Sequence, residues 1–171
     1  MYHNDRMYFK PRPNVLIFNA IMGILSLILA IFLFWSLITV NMDNSVRVPL
    51  IVMGIGSLLY GCYLLSFLWK LQLIVSKQGI LYKEPFHTLF CKWDHFKGAA
   101  CSEKTFLLQL DETIKPRRKL IKGMHFKGEY IPIHFFVKNW QEQTNWQHNR
   151  LLKTIAIYLP GLDKEVIKDG N

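Results

Sequence analysis

The stretch that decides the architecture is VLIFNAIMGILSLILAIFLFWSLITV, Val15 to Val40. It is followed, after seven residues, by VPLIVMGIGSLLYGCYLLSFLW, Val48 to Trp69. Neither run contains Asp, Glu, Lys, Arg or His. A helix rises about 1.5 Å per residue, so each run can reach across a hydrocarbon core of about 30 Å. Seventeen residues of the first run are Leu, Ile, Phe or Val, and each favours insertion by roughly 0.3–0.6 kcal/mol near the bilayer centre. Its polar residues, Asn19, Ser26, Ser36 and Thr39, are uncharged and cannot cancel that sum. A secretory signal would have an apolar stretch of only about 7–15 residues and a small-residue cleavage site. This run is longer and no such site follows it, so an anchor is expected.

Asn41 to Arg47 is too short for a domain and suits a hairpin between spans at 15–40 and 48–69. Arg6, Lys10 and Arg12 precede the first span, in a segment 1–14 expected to be cytoplasmic. Lys70, Lys77 and Lys83 follow the second. The positive-inside rule then puts both termini in the cytoplasm, with Tyr8, Phe9, Trp35 and Trp69 near the interfaces. Asn19 and Gly23 stand four apart, as do Ser57 and Gly61, the small-xxx-small spacing that lets membrane helices approach closely. Packing of the two helices on each other is expected, with a second copy as the other use of these faces.

Charge divides the chain. Positions 1–69 carry four basic and two acidic residues, whereas 70–171 carry seventeen and ten, a net of +7. The second part reads as water-facing and, at about a hundred residues, can hold one core. Cys62, Cys91 and Cys101 form an odd set without a CxxC pair, which fits a reducing compartment better than a disulfide framework.

After Trp69 the apolar period changes to two. Leu71 to Val75 reads as a strand, Lys77-Gln78-Gly79 as a turn, and Ile80 to Glu84 as a second strand stopped by Pro85. A third strand runs from Thr88 toward Trp93-Asp94, His95 to Ser102 continues it or starts another, and Thr105 to Leu110 follows. Asp111 to Gly128 reads as a long loop, and Tyr130 to Val137 as an edge strand because of Pro132. Thr144 to Leu159 is the best helix of this part: Thr144 or Asn145 can cap it, and Leu151, Leu152, Ile155, Ala156 and Leu159 share a face. Pro160-Gly161 ends it, leaving a frayed tail or a short extra turn. Antiparallel strands followed by one helix make an α+β domain over 70–171.

The order of elements, with "LQLIVSKQGILYKE" and "LFCKWDHFKGA" after the hairpin, resembles membrane-anchored bacterial proteins that carry a pleckstrin-homology-like domain. The resemblance rests on Gly79-Ile80 after the first turn and on Phe90, Trp93 and Asp94 in the next strand. It implies an antiparallel β-sandwich or barrel capped by the C-terminal helix, and a place in the cell inner membrane. It implies little about activity.

No nucleotide-binding glycine pattern, HExxH or GxSxG occurs. His3, His87, His95, His125, His134 and His148 are scattered without metal-ligand spacing. Asp94 and His95, as strand neighbours, would point to opposite faces. No cofactor is expected, and the chain reads as non-enzymatic. The spans lack the charged groups that ion or proton transport uses.

The strongest functional feature is Lys115, Arg117, Arg118, Lys119 and Lys122, five cations without an acid. Near an anionic leaflet each is worth about 1 kcal/mol, so the segment is expected to lie on lipid headgroups; a solvated loop is the plain alternative. Nucleic acid is not expected, because no aromatic residues are interleaved as stacking platforms. A protein partner could add a strand at the edge near Tyr130 to Phe136. The expected role is therefore a cytoplasmic-face domain for lipid or protein binding. A membrane-anchored immunity or defence protein that neutralises one partner is the other reading.

Overall fold

The computed structural model describes residues 6–41, 43–102, 104–111, 117–120 and 130–169. They fall into two compact units. One is Pro13–Leu71; the other joins the N-terminal residues up to Arg12 to Gln72–Asn171.

The first unit is a pair of helices, α1 (Pro13–Thr39) and α2 (Asn44–Lys70). Both start ahead of their apolar runs. Pro13 opens α1 because the first helical N–H needs no partner and proline's fixed φ is already helical. Before α2, the Asp43 carbonyl accepts from the N–H groups of Val46 and Arg47, both at 3.0 Å, which starts the helix in polar sequence. At 27 residues each, the helices are about 40 Å long. Only 11% and 17% of their most apolar windows are buried, whereas a helix in the core of a soluble protein is mostly covered. Both are long and apolar enough to cross a membrane.

The helices touch through small residues. A Cβ on Gly23 would stand 2.9 Å from Leu65 Cγ and 3.2 Å from the Gly61 carbonyl; one on Gly61 would stand 2.9 Å from Leu27 Cδ2. Gly54 faces the ring of Phe34 in the same manner, at 3.1 Å.

The second unit holds two antiparallel sheets. Five strands form the first: β1 (Met7–Phe9), β2 (Gln72–Ser76), β3 (Gly79–Lys83), β4 (His87–Cys91) and β7 (Arg117–Leu120), in the order β1-β2-β3-β4-β7. The second has β5 (Phe96–Cys101), β6 (Phe106–Leu110) and β8 (Tyr130–Pro132), in the order β5-β6-β8. The turn between β2 and β3 depends on Gly79, whose φ of +149° and proximity to the Cys91 carbonyl leave no room for a side chain.

Alternation sets the core. Leu73, Val75, Ile80, Tyr82, Leu89 and Cys91 are buried on one face of the larger sheet. From the smaller sheet come Phe106, Leu108, Leu110 and Ile131, and three helices follow: α3 (Gln143–His148), α4 (Arg150–Tyr158) and α5 (Leu162–Asp169). α4 contributes Leu151, Leu152 and Ile155, and α5 contributes Leu162 and Val166.

Several expectations are corrected in detail. The single helix over Thr144–Leu159 is two, broken at Asn149, whose side chain accepts from the N–H groups of Leu151 at 2.9 Å and Leu152 at 3.3 Å and so starts a new helix. The tail forms α5. The segment Tyr130–Val137 is a strand only to Pro132, then turns through Ile133–Phe135, because proline cannot donate to a ladder. Trp93-Asp94-His95 is likewise a single 3-10 turn that closes β4 and leads into β5. The coarse arrangement stands: two long apolar helices, then antiparallel sheets, then C-terminal helices.

Candidate functional site

The basic segment is not all loop. Arg117, Arg118 and Lys119 belong to β7, which pairs with β4 in the register Phe90↔Arg117, Leu89↔Arg118 and Thr88↔Lys119. Three consecutive cations thus occupy the outer strand of a five-stranded sheet. Positive charge on such an edge also blocks further strand addition. Lys115 and Lys122 lie outside the described residues.

The opposite edge of that sheet is formed by the segment before the first apolar helix. β1 pairs with β2 in the register Met7↔Val75, Tyr8↔Ile74 and Phe9↔Leu73. Two further contacts hold the segment. The Arg12 N–H donates to the Phe135 carbonyl at 2.8 Å and its guanidinium to the His134 carbonyl at 3.3 Å. The Thr154 hydroxyl of α4 lies 3.8 Å from the Met7 sulfur. The segment therefore crosses from β2 to the turn after β8 and touches α4 on the way. Nothing in the sequence signals this strand, since three residues are too few to show a period.

Around the turn after β8 lies an aromatic cluster. His134 packs against Phe135 and Trp140, with ring centroids 4.5 and 6.3 Å away, and Phe106 lies 6.2 and 6.0 Å from Trp140 and Trp146. Trp146 donates to the Trp140 carbonyl at 2.8 Å. His134 Nδ1 is 3.2 Å from the Phe106 carbonyl and 3.4 Å from its N–H, so the tautomer decides which bond forms. Burial holds the His134 pKa below the ordinary 6.5; the Phe106 backbone bond opposes this, and the Arg12 charge adds to it.

Trp93 bridges strand and helix. Its indole N–H donates to the Ser76 carbonyl at 2.9 Å, and its ring stacks on Tyr158 of α4 at 4.5 Å and 11°. Beside it, a groove of about 390 Å³ is lined by Phe96, Lys97 and Gly98 of β5 and by Leu159 to Leu162. Its lining carries one cation and no nucleophile or general base.

Asp94 and His95 do not point apart as strand neighbours would. In the turn they inhabit, His95 Nε2 lies 3.7 Å from Asp94 Oδ1, with Asp94 open to solvent. Cys91 is buried in β4 and Cys101 half-buried at the end of β5, and neither is in a disulfide. Among the described residues, no group of three or more His, Cys, Asp or Glu could hold a metal ion. His3 and His125 lie outside the described residues.

Of the four helix residues singled out, Gly23 and Gly61 meet across the hairpin. Asn19 instead turns its amide to the Val15 carbonyl of its own helix at 2.8 Å, and Ser57 is half-buried. Gly54 completes the contact against the ring of Phe34, and the small-residue spacing misses it because the residues four away, Leu50 and Leu58, are large.

No protein-family model, curated protein or solved structure matches this chain.

Proposed function

We propose that this protein is a two-span inner-membrane protein whose pleckstrin-homology-like domain binds anionic lipid headgroups at the cytoplasmic face without catalysing a reaction. The observation that carries the lipid reading is β7: Arg117, Arg118 and Lys119 run consecutively along the outer edge of the larger sheet. A domain joined to a bilayer by short connections stays within reach of the anionic leaflet, where each added cation contributes about 1 kcal/mol. The two-sheet, helix-closed arrangement supports the fold assignment, and the cations flanking both spans support the cytoplasmic orientation.

A protein partner added at the Tyr130 edge is disfavoured, since β8 offers only three residues, one of them Pro132. The test uses the full chain in nanodiscs of zwitterionic lipid or of the same lipid with an anionic fraction. Anionic discs should slow tryptic cleavage at 117–119, and raised salt should abolish the difference. The variant R117Q/R118Q/K119Q supplies the binding counterpart: soluble anionic headgroup should protect the wild-type domain against heat and leave the variant unprotected. Equal cleavage in both disc types at every salt concentration would remove the lipid reading.

A further inference from the structure

The connections at the two ends of the helical hairpin are short. Lys10, Pro11 and Arg12 separate β1 from the first residue of α1, and Leu71 alone separates α2 from β2. Yet β1 and β2 are neighbours in one sheet, and they are the strands joined to the two helices. The strand synthesised before the hairpin completes a sheet that is synthesised after it.

We infer that residues 7–12 form a strap that completes the domain only when both ends of the inserted hairpin emerge on the same side of the membrane, so that folding of the domain reports correct insertion. The inference rests on the membrane-spanning reading given above. Its physical content is that pairing cannot occur through a bilayer. A chain with its N-terminal segment on the far side would leave the β2 edge bare. Met7 and Phe9, half-buried in the assembled domain, would lose their packing. The carbonyls of His134 and Phe135 would lose Arg12 as donor. Bare edges and orphaned polar groups are the features of a region that opens easily. The strap thereby separates correctly inserted chains, which close, from misinserted ones, which stay open to proteases.

The full-length chain in sealed vesicles tests this in two ways. First, Met7→Cys combined with Val75→Cys, opposite each other in register, should form a disulfide under mild oxidation; Met7→Cys with Ser102→Cys should not. Second, removing residues 1–9, which keeps Lys10 and Arg12 beside the span, should raise the exchange rate of the β2 amides roughly tenfold or more. Adding a peptide of residues 5–12 to the domain side should restore protection. No cross-link at 7/75, or unchanged exchange after the deletion, would overturn the strap. If the protein washes out of the vesicles in alkaline carbonate, the membrane reading fails instead, and a surviving 7/75 cross-link would show a strap that reports no insertion.

Discussion

Arg12, the residue before the first apolar helix, donates its backbone N–H to the carbonyl of Phe135 at 2.8 Å. That bond, with the β1–β2 ladder, means the N-terminal segment belongs structurally to the domain that follows the hairpin. It also sets the surroundings of His134, next to which the Arg12 guanidinium lies.

The first prediction concerns pH. The His134 pKa is depressed in the folded protein, chiefly by burial, so the unfolded chain takes up a proton at higher pH than the folded one. The contribution is fully present above the ordinary value near 6.5 and is lost as pH falls through the folded value. Thermal melts of the domain transition should be flat from pH 8 to 7 and decline below about 6.5. His134→Asn keeps a group able to bond the Phe106 backbone and should flatten the decline. Arg12→Gln removes a neighbouring cation and should move the His134 titration upward, read from its imidazole NMR signals.

The hairpin contact gives a paired prediction. Gly61→Leu forces a side chain into Leu27 and the Gly23 backbone, which should cost about 1–3 kcal/mol or more in detergent melts. Gly56→Ala, where an added Cβ meets nothing within 4 Å, should change stability by less than about 1 kcal/mol. Equal effects would argue against this pairing of helices.

Trp93 should show separable losses. Trp93→Phe keeps a ring against Tyr158 but removes the donor to Ser76, at a cost of about 1–2 kcal/mol. Trp93→Ala also removes the stacked ring and should cost roughly 3 kcal/mol. Trp35→Phe, at an exposed site on α1, is the control and should leave the domain transition unchanged. Denaturant titration followed by tryptophan fluorescence distinguishes the three.

Asn149 caps α4 through two N–H groups, so Asn149→Ala should destabilise the domain by about 0.5–2 kcal/mol. Asn149→Asp should retain most of the stability, since a carboxylate accepts the same bonds.

Which elements the sequence discloses follows from what each depends on. The two long helices are legible because charge is missing over runs of twenty-two residues or more, a pattern few other structures need. The β2–β3 hairpin is legible because Leu71, Leu73 and Val75 recur at every second position, flanked by Gln72 and Ser76, and Gly79 marks the turn. The strands β1 and β7 are not legible: Met-Tyr-Phe and Arg-Arg-Lys-Leu carry no alternation, and the unpaired edges of β2 and β4 determine their state. The break at Asn149 is masked by the good helix formers Arg150 to Lys153 that follow it, and only the cap geometry reveals it. The basic cluster is visible from charge alone, but its place on a sheet edge depends on pairing with β4, which lies nearly thirty residues away.

Labelling of single cysteines from one side tests the central claim most directly. With Cys62, Cys91 and Cys101 replaced by Ala, Asn41→Cys marks the link between α1 and α2 and Lys97→Cys marks β5. In sealed vesicles of uniform orientation, an impermeant maleimide should reach one of these positions and reach the other only after the vesicles are opened. Labelling of both positions in intact vesicles would contradict a hairpin that crosses the bilayer twice.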